Sequence, residues 1–230
     1  MLDKNRHEVV MKNILKDFYS QRLLATVLGF KGGTACYFFY KLPRFSVDLD
    51  FDLLNIEKKD EVFEVAGKIL AKYGQLEEIQ KKRNTLFFLL NYQSGKQKVK
   101  IEISLREKKN NFEIKNLYGI SVLSMTKADM FANKLVAATE RKRTALRDFF
   151  DINFFLQGAW DINERIIQER TTKNLKEYLK FLIKYIEKNI TQKNILDGLG
   201  EVLDEAQKDS VKATLKRDLL FNLKMRLDNL

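Results

Sequence analysis

Residues 31–54, Lys31-Gly32-Gly33-Thr34-Ala35-Cys36-Tyr37-Phe38-Phe39-Tyr40-Lys41-Leu42-Pro43-Arg44-Phe45-Ser46-Val47-Asp48-Leu49-Asp50-Phe51-Asp52-Leu53-Leu54, decide how the chain is read. Glycine reaches positive φ and admits a close backbone approach, so Gly32-Gly33 marks a turn able to meet an anion. Thr34 is placed to cap the helix that follows and to leave its first amides pointing at phosphate. That helix is expected over Thr34 to Lys41, closed by Pro43, the single proline of the chain. Beyond it apolar and acidic residues alternate, so Asp48 and Asp50 leave one face of a strand and Val47, Leu49 and Phe51 the other. Two neighbouring carboxylates repel unless a cation neutralises them, and hard oxygen ligands of this kind suit Mg²⁺ carried with a nucleoside triphosphate. A plain strand-to-helix turn and a solvated edge strand are the alternative readings of the same residues. Asp52 continues the acidic face and reads as a bystander near its end.

Outward from this stretch, the first half alternates short elements. An amphipathic helix is expected over Lys4 to Phe18, a buried strand over Leu23 to Lys31 and a helix over Lys58 to Tyr73. Period-two patterns at Val47 to Leu53, Thr85 to Tyr92, Lys98 to Leu105 and Asn111 to Leu117 predict a sheet of about five strands. From Thr126 onward helical periodicity takes over. Helices are expected at Lys127 to Glu140, Ala145 to Phe155, Asn163 to Arg170, Leu175 to Asn189 and Val211 to Leu227, with a break at Gly198 and Gly200. The reading is therefore α+β: a mixed-sheet domain over residues 1–124 and a helical domain over 125–230, closely packed, with a cleft between them to hold an active site.

Composition sets outer limits. Of 230 residues 45% are apolar and 17 are Phe, enough to fill a core. Cys36 is the one cysteine, which excludes a disulfide framework or a cysteine-based zinc site. The start, MLDKNRHEVVMKN, has no apolar signal core, and no apolar run is long enough to span a bilayer, so a cytoplasmic protein without a membrane role is expected. The net charge of +11 is spread along the chain and favours polyanionic partners.

Further candidates lie downstream. Glu102, in Lys100-Ile101-Glu102-Ile103-Ser104, is a possible third metal-ligating acid if its strand neighbours Asp48 and Asp50; a solvated Lys-Glu-Lys face is the alternative. Lys134 and Arg141 are seven apart, on one face if their helix runs through, and Asp148 and Asp151 share a face. They could hold a triphosphate, with Asp148 orienting the basic groups, or form ordinary ion pairs on a solvated surface. Lys176, Lys180, Lys184 and Lys188 recur every four residues; with Arg141, Lys142, Arg143 and Arg147 they could track an RNA backbone, or be the wet side of a helix whose core face is Leu175, Leu179, Leu182, Ile183 and Ile186. His7, Trp160 and the Phe149-Phe150 and Phe154-Phe155 pairs receive no functional role.

Gly-Gly-Thr, a short helix, Ser-x-Asp-x-Asp, a mid-chain strand acid, Lys-x-x-Ala and Arg-Asp-x-x-Asp, in this order from Lys31 to Leu156, resemble the AbiEii/AbiGii-type nucleotidyltransferase toxins, the group that includes the MenT toxins. The resemblance implies a polymerase-β-like nucleotidyltransferase domain followed by a helical C-terminal domain. It also implies transfer of a nucleoside monophosphate from an NTP to an acceptor hydroxyl, with a tRNA 3′ end as acceptor, in a toxin–antitoxin or phage-defence pair. Carried onto this chain, it makes Gly32, Gly33, Thr34, Lys134 and Arg147 nucleotide-binding, Asp48 and Asp50 Mg²⁺ ligands, and Asp148 a further active-site acid. Ser46 falls where some relatives carry a hydroxyl that an antitoxin phosphorylates. A small-molecule acceptor, or an inert RNA- or partner-binding protein on the same fold, are the competing expectations.

Overall fold

The computed structural model describes residues 3–93, 97–107, 109–141 and 144–230. The chain divides into two compact units, Met1–Met125 and Thr126–Leu230. Among the described residues no helix is long and apolar enough to cross a membrane.

The first unit opens with α1 (Lys4–Ser20), capped by the Asp3 carboxylate, which accepts from the Arg6 amide at 3.0 Å. His7, Met11, Ile14, Leu15 and Phe18 form its buried stripe. The run expected as one strand over Leu23 to Lys31 divides into α2 (Arg22–Val27) and β1 (Leu28–Lys31). A short apolar run carries no period by which helix and strand can be told apart. Then come α3 (Gly32–Tyr40), β2 (Asp48–Leu53), α4 (Lys59–Leu70), β3 (Gln75–Lys82), β4 (Thr85–Gln93), β5 (Gln97–Ser104), β6 (Phe112–Leu117) and β7 (Ile120–Met125).

These seven strands make one mixed sheet, ordered β3-β4-β5-β2-β1-β7-β6, rather than the five expected. The two that the sequence hid are β3, whose GlnLeuGluGluIleGlnLysLys carries the charge of a sheet edge, and β7, a short strand beside β1. At the centre β2 runs antiparallel to β1 and parallel to β5. One face of these strands is apolar: Phe30, Leu49, Phe51, Ile101, Ile103 and Phe88 are fully buried. Phe18 of α1 packs on Phe51 with ring centroids 5.6 Å apart, and Phe63 of α4 on Phe88 at 5.1 Å, so α1 and α4 roof that face. Residues opposite one another in register lie on the same side of a sheet, so the other face carries Lys31, Asp48, Asp50, Asp52, Lys100 and Glu102 together.

The second unit is helical: α5 (Lys127–Glu140), α6 (Leu146–Gln157), α7 (Glu164–Thr171), α8 (Leu175–Asn189) and α9 (Glu205–Asp228). The expected core face of α8 is buried and its four lysines are exposed. Tyr178 of the same helix turns inward and donates to the Leu135 carbonyl at 2.7 Å. Helix α9 starts earlier than expected. Its start is a capping box in which Asp204 and Gln207 bond each other's backbone amides. Trp160, Phe149 and Phe155 are core, with Phe155 and Trp160 stacked at 4.3 Å.

Candidate active site

The glycine turn and the acidic strand meet. Gly32 holds φ at +81°, and a Cβ there would stand 2.7 Å from Asp50 Oδ2. A Cβ on Gly33 would stand 2.7 Å from Arg44 Nη2 and 3.0 Å from Ser46 Oγ. No side chain larger than hydrogen fits either place without displacing these groups. Thr34 does not cap α3: the helix begins at Gly32 with Lys31 as N-cap and no side-chain cap bond. Its hydroxyl is instead bonded to Ser46 Oγ at 2.9 Å and to the Asp48 carbonyl, which ties the first turn of α3 to the start of β2.

Asp48 and Asp50 project side by side, and β5 brings Lys100 opposite Asp48 and Glu102 opposite Asp50. The Asp50 carboxyl is pushed up to about 6, first because burial strips water from its charged form, then by the neighbouring Asp48 charge; Lys31 and Lys100 oppose the rise and Glu102 adds to it. A carboxylate so destabilised gains most from a cation. The donor chemistry, acid oxygens on one rigid face, fits a hard divalent ion. Among the described residues, however, no three acidic, His or Cys side chains already converge as a ligand set. Lys100 stands among them: its Nζ lies 3.1 Å from Asp48 Oδ2 and 3.7 Å from Glu102 Oε1. Burial opposes the Lys100 charge, but Asp48 and Glu102 outweigh it and hold its pKa above the ordinary value.

Asp52 has partners of its own on this face. It is buried, ion-paired with Lys31, and accepts from Asn110 Nδ2 at 2.9 Å. Behind the strand His7 is fully buried. Because the Val47 carbonyl can only accept, Nε2 donates to it at 2.9 Å, and Nδ1 faces the Tyr92 hydroxyl oxygen at 2.6 Å. The Tyr92 hydroxyl also meets the Gln97 side-chain amide at 2.8 Å, so one polar chain links α1, β4, β5 and the residue before Asp48. Arg44 and Lys100 are the groups that sequence reading missed. Arg44 sits in an aperiodic loop with no pattern to mark it, whereas Lys100 was visible on the Glu102 face but its partner strand was not.

The helical unit gathers a second cluster. Helix α5 stops at Glu140, and Arg141 is already extended, with φ −70° and ψ 138°, so Lys134 and Arg141 do not share one helix face as expected. Both nonetheless reach Asp148. Lys134 Nζ lies 3.0 Å from Asp148 Oδ1 and 3.0 Å from Asp151 Oδ2, while Arg141 Nε lies 2.8 Å from Asp148 Oδ2 in a charge contact rather than an aligned hydrogen bond. Both aspartates are fully buried. The solvated surface pairing open to the sequence is thus replaced by a buried one in which Asp148 and Asp151 fix the lysine. Arg147 is half-buried on α6, and Lys142 and Arg143 lie outside the described residues.

Residues 13–228 match the family of nucleotidyl transferase AbiEii toxins of type IV toxin–antitoxin systems. The chain belongs to this family. As an AbiEii protein it is a nucleotidyltransferase toxin, and the mixed sheet with its following helices is the expected fold. Two solved structures share that fold. A candidate nucleotidyltransferase from H. pylori is 23% identical with a TM-score of 0.68, and JHP933 from Helicobacter pylori is 21% identical with a TM-score of 0.59; each alignment covers 100% of this chain and 97% of the other. No curated protein matches the chain.

Proposed function

We propose that this AbiEii protein transfers a nucleoside monophosphate from an NTP to the 3′ hydroxyl of a tRNA, using Mg²⁺. The observation that carries the reading is the contact of the Gly32 turn with Asp50, which sets a phosphate-approach backbone against a carboxylate in need of a cation. Asp48 and Asp50, with Glu102 opposite in register, would hold the metal. Such an ion supplies Lewis-acid neutralisation of the phosphate oxygens. The acceptor oxygen forms a bond to the α-phosphorus, the bond to the β-phosphate bridge breaks, pyrophosphate leaves and the acceptor proton passes to solvent.

The chain's own groups have distinct parts. Backbone amides at Gly32, Gly33 and Thr34 take the triphosphate, and the glycines are needed because Asp50, Arg44 and Ser46 leave no room for a Cβ. Lys134, held by Asp148 and Asp151, contacts nucleotide phosphate, and Arg147 adds to the nucleotide contacts. Ser46 is the candidate for antitoxin phosphorylation: a phosphate there would break its bond with Thr34 and add negative charge beside the two carboxylates. The exposed lysines of α8 and the net charge of +11 favour an RNA acceptor over a small molecule.

The test is incubation with each labelled NTP, Mg²⁺ and total tRNA. Transfer is expected with at least one NTP and loss of it, by on the order of a hundredfold or more, in Asp48→Ala. No transfer with any NTP, or transfer that survives Asp48→Ala, overturns the proposal. An inert RNA binder would hold RNA equally well with Asp48 and Asp50 both changed to Asn and show no Mg²⁺-dependent NTP affinity.

A further inference from the structure

On the acidic face β5 sets Lys100 opposite Asp48, two residues before Glu102. The ammonium reaches Asp48 Oδ2 at 3.1 Å and Glu102 Oε1 at 3.7 Å. It therefore lies between two of the acids that a divalent ion would use. An ammonium group has donors only and no lone pair, so it cannot share ligation; it can only compete for the same oxygens. A second basic residue of this face, Lys31, is engaged by Asp52 and opposite Asp50 in register. Lys100 is thus the cation that stands between Asp48 and Glu102, and it shares with Lys31 the offsetting of the Asp50 charge.

We propose that Lys100 is the resident counter-ion of the acidic face, seated where the divalent cation binds, so that its displacement sets the cation affinity of the site. The inference rests on the reading of Asp48 and Asp50 as metal ligands. Its physical content is an exchange. When the ion enters, the Lys100–Asp48 pair is broken and the ammonium, at the end of a four-carbon stem, is released to pair with another anion. A bare metal ion must overcome that loss, whereas an ion arriving with a polyphosphate brings the lysine a new partner. The arrangement therefore disfavours loading of the metal alone and favours loading of the metal with its nucleotide.

The experiment measures Mn²⁺ binding to the full chain, without nucleotide, by the loss of the free-ion electron paramagnetic resonance signal. Lys100→Met is expected to bind Mn²⁺ about three- to tenfold more tightly than the wild type, the factor that one or two half-exposed ion pairs convert to. Lys100→Arg, which keeps the charge, is expected to stay close to wild type. Without metal Lys100→Met melts at a lower temperature, and Mn²⁺ raises its melting temperature more than that of the wild type. A purely structural lysine would give the opposite sign, weaker binding in the Met variant. If Lys100→Met does not fold, Lys100→Gln carries the same expectation with a polar side chain. Equal or weaker Mn²⁺ binding in the neutral variants, while Asp48→Asn abolishes wild-type binding, overturns the role of Lys100 and leaves the metal site standing. Wild-type binding that Asp48→Asn and Asp50→Asn leave unchanged overturns the metal site itself.

Discussion

Gly32 and Asp50 touch: with Gly32 at φ +81°, the position of its missing Cβ lies 2.7 Å from Asp50 Oδ2. Gly32→Ala therefore meets both backbone strain and a clash with a carboxylate. It is expected to lower stability by about 1–3 kcal/mol and to depress nucleotidyl transfer. Gly119 is the control, since its φ is +84° but a Cβ there meets nothing within 4 Å. Gly119→Ala should show the strain alone in urea unfolding and keep its activity. Equal losses of activity in both variants would mean that the Asp50 contact is irrelevant to the reaction.

His7 gives a pH dependence with a definite sign. Burial lowers its pKa below the ordinary 6.5, against the raising effects of the Val47 hydrogen bond and the Asp48 charge. The unfolded chain then binds the proton more readily than the folded one. The contribution to stability is fully present above the unfolded pKa of about 6.5 and is lost as pH falls below it. Asp50, whose carboxyl is raised to about 6, acts with the opposite sign over the same range, so the His7 decline is read as the difference between the wild-type and His7→Gln curves in urea unfolding at a series of pH values between about 7.5 and 5. In His7→Gln that part of the slope should vanish; an unchanged slope assigns it to other groups.

Lys134 and its two buried aspartates form a charge cluster inside the helical unit. Lys134→Met leaves Asp148 and Asp151 buried, with Arg141 still beside Asp148. A loss of about 3–5 kcal/mol is expected. Asp151→Asn in the Lys134→Met background should recover part of it, because one uncompensated charge is removed. A double-mutant cycle read by urea unfolding measures the coupling, and additive losses would show that Lys134 and Asp151 do not depend on each other.

Lys176, Lys180, Lys184 and Lys188 are exposed on α8. Changing all four to Gln should alter stability by no more than about 0.5 kcal/mol per site. If this face follows an RNA backbone, tRNA affinity falls and the dependence of log K on log salt becomes shallower by roughly one unit per lost phosphate contact. Fluorescence anisotropy across a salt series is the measurement. An unaltered slope removes α8 from the RNA path.

Periodic features were legible in the chain. Helices α5 and α8 begin and end where the apolar spacing predicts, and the alternation Asp48-Leu49-Asp50-Phe51 places its carboxylates on one face as read. Elements without a period were not. The start of α9 hid in a capping box, β3 in a run of charges, and α2 in an apolar stretch too short to carry a helical repeat. At the site, a hydroxyl at a helix start caps it by default, which is the expectation for Thr34; in the fold Thr34 bonds across to β2 instead.

By itself the sequence determined the two-part α+β plan, the acid pair on one strand face and the glycine turn before a helix, because each follows from local spacing and backbone freedom. Only the tertiary structure decided which distant groups meet them. The register of β2 with β5 sets Lys100 against Asp48 and Glu102 against Asp50, the loop before β2 returns Arg44 and Ser46 to Gly33, and α5 and α6 bury Asp148 and Asp151 around Lys134. Strand pairing and loop closure join residues far apart in the chain, and no local periodicity encodes the partner that a strand will choose.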